Sequence, residues 1–158
     1  MSAGDPARVA PEGPTRVARR FPARAEPGLA ELHAAFEVLF QRAESSGVPV
    51  ASADRVAILT AAGEIGANIV RHACGELPDA EVTLILERGD GLIEARFEDP
   101  GQPFVAAAGK PGAAALLPGG LGLAIARLSV EVLEYTREGA GNRWRLVRRT
   151  GDGGERSR

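Results

Sequence analysis

The pattern of apolar and polar positions divides the chain into three helical segments and five strand-like segments. Apolar residues three and four positions apart predict two long amphipathic helices, at 27–44 and from Ser52 to about residue 74. A shorter apolar segment at about 121–130 predicts a third helix after a glycine-rich stretch. Alternation predicts five strands, the first of them at an edge, at 15–22, 81–88, 92–98, 132–136 and 142–149.

Two short turns indicate that four of these strands form hairpins. Residues 89–91 read Gly-Asp-Gly, and residues 138–141 hold two glycines, both typical of tight connections between antiparallel strands. At the start of the second helix, Ser52 is the predicted N-cap, and Asp54 adds a favourable negative charge to the first turn. Gly63 and Gly66 lower helix stability, so we expect them where a neighbouring helix or a ligand comes close.

The second helix also carries a row of polar residues beside its apolar side. Glu64, Asn68 and His72 are four positions apart, which places them on one side of an α-helix. A carboxylate can accept a proton, and an amide oxygen can bind a hard cation. Taken alone, this triplet is more typical of a solvent-exposed polar face than of a functional site.

A carboxylate continues the buried side of a predicted strand. Ile93, Ala95 and Phe97 point one way, and Asp99 falls on the same side. Because a buried carboxylate is unusual and needs a partner, we expect Asp99 to contact a protein group or a ligand. It can accept a hydrogen bond from an exocyclic amine such as that of adenine, with Gly101 leaving room for a flat ring. A strand-end turn capped by an aspartate is the ordinary alternative.

The glycine-rich stretch 119–122 opens the third predicted helix. Unpaired backbone amides and the helix dipole favour an anion at such a helix start, and glycine lets a phosphate approach the backbone. A simple loop-to-helix junction has the same pattern. Between Asp99 and this helix, residues 102–118 form a loop of the length expected for a functional lid or a disordered segment.

Composition excludes several classes of protein. The chain has 158 residues, which predicts one domain at 15–149, with a disordered leader at 1–14 and a disordered tail at 150–158. A formal net charge of −2 gives no reason to expect direct nucleic-acid or anionic-membrane binding. The single cysteine excludes an internal disulfide and a cysteine-based zinc site. The sequence lacks an apolar run of about 18 residues or an apolar signal core, so we expect a cytoplasmic protein with no membrane partner.

Three motifs, read together, resemble a known family. The sequences EIGANIVRHA, DPGQPF and GGLGLAIAR occur in the order of the N, G1 and G2 boxes of the GHKL ATPase superfamily. Their detailed form is most similar to that of the anti-sigma-factor serine/threonine kinases of bacterial partner-switching systems. The resemblance covers almost the whole predicted domain, and it includes the final strand GNRWRL.

The resemblance implies a fold and a site. The fold is an α+β, two-layer sandwich in which a mixed, mostly antiparallel sheet packs on helices and ATP with Mg²⁺ lies between them. Glu64 matches the general base, Asn68 the Mg²⁺ ligand and Asp99 the carboxylate that reads adenine. Residues 102–118 match the ATP lid. For His72 the resemblance favours packing beside the pocket over direct phosphate contact. The implied nucleotide-binding residues are Asn68, His72, Asp99, Gly101, Phe104, Gly120, Leu121 and Gly122.

Two positions depart from the family's pattern. Pro103 stands where many relatives have a further glycine, and Asn142 with Arg143 stands where relatives often have a threonine near adenine, so that contact is not transferred. The resemblance implies an anti-sigma factor that phosphorylates a small STAS-type antagonist and sequesters a sigma factor. An exposed sheet edge or face makes a homodimer possible. The alternative is a nucleotide-binding module that sequesters a partner without phosphorylating it, and Glu64 favours the enzyme, because such a module needs no base.

Overall fold

The computed structural model describes residues 14–105 and 120–151. The elements within them, in chain order, are β1 (Thr15–Pro22), α1 (Ala25–Ser45), α2 (Ser52–Asn68), β2 (Glu81–Gly89), β3 (Leu92–Asp99), α3 (Gly120–Ser129), β4 (Val132–Glu138) and β5 (Gly141–Arg149). A short π-helical turn, Ile69–Ala73, follows α2 directly. The predicted leader and tail lie almost wholly outside the described residues, as does the predicted lid beyond Val105.

The five strands form one sheet in the order β1-β2-β3-β5-β4. Every neighbouring pair is antiparallel, and β1 lies at an edge as predicted. The two predicted hairpins are present, with left-handed backbone at Gly91 and Gly139 in their turns (φ 70° and 56°). The predicted α+β fold is therefore confirmed, and its sheet is antiparallel throughout the described strands.

The core lies between one face of this sheet and the helices. The alternation of β2, β3 and β5 directs apolar side chains to that face, and the largest of them are fully buried against α1 and α2. The main contributors are Leu32, Phe36, Phe40, Ile65, Leu84, Leu86, Phe97 and Leu146. The two helices approach closely at Gly66, where an added Cβ would lie 3.1 Å from Leu32 Cδ1.

The opposite face of the sheet is covered by charged side chains. Arg96 lies 3.0 Å from Glu87 and 3.1 Å from Glu94, and Glu94 also accepts from Arg145 at 3.0 Å. Such partly exposed pairs add little stability. They explain the polar half of the alternation that predicted the strands.

The second helix differs from its prediction at both ends. Its N-cap is Ala51 and not Ser52, and no side chain caps it. It is α-helical only to Asn68, and the π-helical turn continues it to Ala73, with Cys74 N donating to Ile69 O at 2.8 Å. Apolar spacing over five residues does not distinguish an α-turn from a π-turn, so the predicted uninterrupted α-helix to about residue 74 was wrong.

None of the helices in the described parts of the chain combines the length and the apolar character that a membrane crossing requires.

Candidate functional site

Asp99 lies at the end of β3 with its side chain turned into the protein, as its position in the alternation predicted. It is 4% exposed. Its Oδ1 accepts hydrogen bonds from Gly101 N and from Asn142 Nδ2, each at 2.8 Å, and Cys74 Sγ lies 3.8 Å away. Its Oδ2 is buried and accepts no hydrogen bond within the described residues. One carboxylate oxygen is therefore held by the protein, and the other is left for a donor from outside.

The glycine of the same motif has a packing role that the sequence did not show. A Cβ added at Gly101 would collide with the carbonyl of Ala73, at the end of the π-helical turn. Gln102 N donates to that carbonyl at 2.8 Å, so two backbone segments are joined here. Ala73 fills the space on the Cβ side of Gly101, so backbone packing already requires a glycine here, and room for a flat ring beside Gly101 stays a prediction.

Cys74 lies beside the carboxylate of Asp99, with its Sγ 3.8 Å from Oδ1. It is buried, and burial together with the adjacent Asp99 carboxylate raises the pKa of its thiol to about 11. The thiol therefore stays protonated at neutral pH and acts as a weak third donor toward Asp99 Oδ1. The environment of Asp99 is thus built from neutral donors, with no cation in direct contact among the described side chains.

A second group of predicted site residues lies where Glu64 of α2 contacts the first turn of α3. Gly122 is buried in the first turn of α3, and a Cβ there would collide with Glu64 Oε2. Glu64 itself is half-buried on α2. The structure therefore brings the predicted base to the helix start at which the sequence predicted phosphate binding. Gly120 is the first residue of α3, the side chain of Leu121 is 60% exposed, and Gly119 lies outside the described residues.

Asn68 ends α2 one turn after Glu64. It is 8% exposed, and its side chain does not cap the π-helical turn that follows. The described residues contain no cluster of three His, Cys, Asp or Glu side chains that could hold a metal alone. A hard cation at Asn68 would therefore need oxygens from elsewhere. That requirement fits Mg²⁺ in a nucleotide complex, where phosphates and water supply most ligands.

His72 differs from Glu64 and Asn68 both in its backbone conformation and in its exposure. It lies in the π-helical turn and is exposed. The wider turn changes the direction of residues beyond Asn68, so a stack based on α-helical geometry ends there. The expected packing of His72 beside the pocket is not seen.

Phe104 lies in an aromatic cluster next to the Asp99 pocket. Its ring centroid is 5.5 Å from that of Tyr135 and 5.1 Å from that of Trp144, both in edge-on geometry. Its backbone N–H donates to Tyr135 Oη at 2.9 Å. These contacts fix the segment that leaves β3.

Three further residues at the site were given no role from the sequence, namely Asn142, Tyr135 and Arg137, and Asn142 was noted only as a departure from the family's pattern. Asn142 is directly opposite Asp99 in the β3–β5 register and is 3% exposed. Its side chain contacts both of the others. The signal was present, because Asn142 shares its side of the strand with buried Trp144 and Leu146. The argument that singled out Asp99 applies equally to Asn142.

Comparison with known proteins places this arrangement in a family. The sequence pattern of the histidine kinase-like ATPase domain matches residues 21–148, most of the chain, and the chain therefore belongs to that family. A comparison with curated proteins finds no match.

Two solved structures are similar in fold. One contains the RsbU and RsbW domains of Rv1364c from Mycobacterium tuberculosis, with 19% identity, a TM-score of 0.60 and 86% of this chain covered. The present chain spans 32% of the length of that one. The other is the histidine kinase AdeS of Acinetobacter baumannii, with 15% identity and a TM-score of 0.48, covering 84% of this chain and 67% of that one. At 19% identity, the similarity to the Rv1364c structure shows the fold alone.

Proposed function

We propose that this protein binds ATP with Mg²⁺ between its helices and its sheet, and that it transfers the γ-phosphoryl group to a serine or threonine of a partner protein. The observation that carries the proposal is the unpaired Oδ2 of buried Asp99. A buried carboxylate oxygen without a donor is costly. A base with an exocyclic amino group, such as adenine, supplies the missing donor.

The contact between Glu64 and the start of α3 supports a phosphate chain at the opposite side of the same site. The N-terminal turn of a helix offers free backbone N–H groups and a positive dipole end. Gly122 has no side chain to cover them, and Glu64 lies against it. A nucleotide with its base at Asp99 and its phosphates at α3 uses both features.

Asn68 is the residue that would hold Mg²⁺, through its amide oxygen. When bound, the ion neutralises charge on the phosphates. Its position at the end of α2, one turn from Glu64, gives Asn68 access to the same side of the helix.

Glu64 is the proposed general base. It accepts the proton of the attacking serine or threonine hydroxyl, while that oxygen bonds to the γ-phosphorus and ADP leaves. A pure nucleotide binder has no need of a carboxylate at this position. The half-buried location of Glu64 leaves one side open for a partner's hydroxyl.

The proposed substrate is a small STAS-type antagonist, and the proposed sequestered partner is a sigma factor, both met in the cytoplasm. The form of the three motifs supports this choice, and so does the fold likeness to a chain with an RsbW domain. A homodimer through the sheet is part of the same proposal.

Phosphotransfer to candidate antagonists tests the enzyme directly. Glu64→Gln keeps size and removes the proton acceptor, so transfer should fall about 10²–10⁴-fold, the usual range for a general base, while ATP affinity is retained. Asn68→Ala should lose both Mg²⁺-dependent binding and transfer. Glu37→Gln is the matched control, because it makes the same change on an exposed position of α1.

The outcomes separate the two functions. If the wild-type protein binds ATP and its partner but transfers no phosphate, the binding module that sequesters without catalysis is correct. If Glu64→Gln transfers as fast as the wild type, the base is another residue.

A further inference from the structure

Asn142 has every hydrogen-bonding position of its side chain filled. Its Nδ2 donates to Asp99 Oδ1 and to Gln102 O, both at 2.8 Å. Its Oδ1 accepts from Tyr135 Oη at 2.6 Å and from Arg137 Nη1 at 2.9 Å. Two donated and two accepted bonds account for the two protons and both lone pairs of a buried amide.

These partners fix the orientation of the amide. An arginine guanidinium can only donate, so the group that faces Arg137 must be the amide oxygen. Turning the amide over would set its N–H groups against Arg137, and its oxygen against the Asp99 carboxylate and the Gln102 carbonyl. The same Arg137 nitrogen also donates to Gly101 O at 2.7 Å, which ties the turn after β3 to this network.

The fixed amide decides which oxygen of Asp99 is free. Gly101 N and Asn142 Nδ2 both donate to Oδ1, so the carboxylate is held in one rotation and Oδ2 alone lacks a donor within the described residues. Without Asn142, Oδ1 would keep only the Gly101 amide and the weak Cys74 thiol. The carboxylate could then rotate and would no longer present a single acceptor in a defined direction.

We propose that Asn142, locked by Tyr135 and Arg137, is a positioning residue that makes Asp99 selective for a base with an amino group over a base with a carbonyl at the same place. The inference rests on the proposed ATP binding. Adenine presents an N–H donor to a fixed carboxylate oxygen. Guanine presents a carbonyl oxygen at the equivalent position, which would leave two acceptors facing each other in a buried pocket.

The test is the ratio of ATP to GTP affinity, measured by calorimetry with Mg²⁺ for the full chain. Asn142→Leu keeps the approximate size and removes all four hydrogen bonds. The ratio should fall about ten- to hundredfold, the range for loss of a hydrogen bond to a charged group. Tyr135→Phe removes one donor and leaves Arg137 in place, so it should lower the ratio by a smaller factor. Thr136→Ala changes an exposed neighbour on β4 and is the matched control.

A double variant separates positioning from general loosening. If Asn142 acts through Asp99, adding Asn142→Leu to Asp99→Asn should change the ratio no further. A merely structural residue would weaken ATP and GTP alike and leave the ratio unchanged.

Each outcome decides the inference. A folded Asn142→Leu or Tyr135→Phe protein with the wild-type ratio would overturn the role of Asn142 and leave ATP binding standing. Tyr135→Phe keeps the test available if Asn142→Leu does not fold. A wild-type protein that binds neither nucleotide would overturn both the inference and the proposed function.

Discussion

Two buried aspartates lie at opposite ends of the interface between the helices and the sheet, and their surroundings differ. Asp54, in the first turn of α2, is 6% exposed, and its Oδ1 contacts Arg148 Nε at 2.9 Å and Nη2 at 2.8 Å. Its Oδ2 accepts from Gly151 N at 3.3 Å. Asp99 is 4% exposed, contacts no cation directly among the described residues, and keeps Oδ2 without a partner. Their β5 partners, Arg148 and Asn142, are six residues and therefore about 20 Å apart.

The difference supports a structural role for Asp54 and the proposed recognition role for Asp99. At the Asp54 end the charge is neutralised and both oxygens are occupied, so the pair has nothing left to bind. At the Asp99 end three neutral donors hold one oxygen and the other stays available. A buried acid is therefore no sign of a site by itself. The occupancy of each of its oxygens is the informative property.

Replacing each of the two aspartates with asparagine tests this comparison most directly. Asp99→Asn should reduce ATP affinity by about a hundredfold, because an amide in place of Oδ2 presents a donor or a weaker acceptor to the base amino group. Asp54→Asn should leave ATP affinity unchanged and lower the free energy of unfolding by about 2–4 kcal/mol, because Arg148 loses its nearer, buried counter-charge and keeps only Glu131, 3.6 Å away. Calorimetry and urea denaturation on both variants measure the two effects.

Reversed results would refute the assignment. An Asp54→Asn protein with weakened ATP binding and normal stability would make that end the functional one. Equal ATP affinity of wild type and Asp99→Asn would remove the adenine-reading role from Asp99.

The sequence predicted the elements better than it predicted the roles of single residues. The inward position of Asp99 follows from the alternation of Ile93, Ala95 and Phe97, which is typical of a strand. The bounds of β1 were also correct, although only Val17 and Phe21 are buried in it. Asp54 was expected to favour the helix dipole, yet it forms an ion pair with Arg148, which is 94 positions away along the chain. The role of Gly101 depends on Ala73, which comes near only through the tertiary fold. Contacts of this kind leave no local periodicity.

The prediction for His72 failed for a different reason. Glu64 and Asn68 lie within the α-helical part of α2, where a spacing of four holds. His72 lies in the π-helical turn, whose wider geometry has no distinct apolar pattern over five residues. Asn142 was given no role from the sequence for a simpler reason, because the argument from inward-facing positions was applied to β3 and not to β5.

Cys74 gives a second difference between the two ends, with a smaller expected effect on the free energy of unfolding. Burial and the Asp99 carboxylate raise the pKa of Cys74 from 9.0 to about 11. As pH rises from 9 to 11, the unfolded thiol loses its proton while the folded one retains it, so stability falls. Between about pH 8 and 10.5 the wild type should lose about 1–2 kcal/mol more unfolding free energy than Cys74→Ala.

Urea denaturation at the two pH values measures this loss of unfolding free energy. Repeating the measurement in the Asp99→Asn variant tests whether the carboxylate contributes to it. Without the carboxylate only burial raises the pKa of the thiol, so the pH-dependent difference should shrink. A difference that is unchanged in Asp99→Asn would mean that Cys74 does not sense the carboxylate. The Asp54 end has no comparable thiol, because Cys74 is the only cysteine in the chain.

The last comparison concerns two glycines of α2, the helix that joins the two ends, and its smallest expected effect is at Gly63. Gly63 and Gly66 both lie in α2, between Asp54 and Asn68. A Cβ at Gly63 would meet no described atom within 4 Å, whereas a Cβ at Gly66 would lie 3.1 Å from Leu32 Cδ1. Because alanine is about 0.8–1 kcal/mol more favourable than glycine inside a helix, Gly63→Ala should raise the unfolding free energy by up to that amount.

At Gly66 the same gain in helix propensity is opposed by overpacking. Leu32 is fully buried, so it has little room to move, and inserting a methyl group into a packed core typically costs about 1–3 kcal/mol. Gly66→Ala should therefore be neutral or destabilising by up to about 2 kcal/mol. Urea denaturation without nucleotide compares the two variants. A destabilised Gly63→Ala protein would show that the space beside Gly63 is filled in the folded chain. A stabilised Gly63→Ala protein that binds ATP more weakly would assign that space to the nucleotide. The nucleotide site would then reach from Asp99 along α2 in the direction of Asp54.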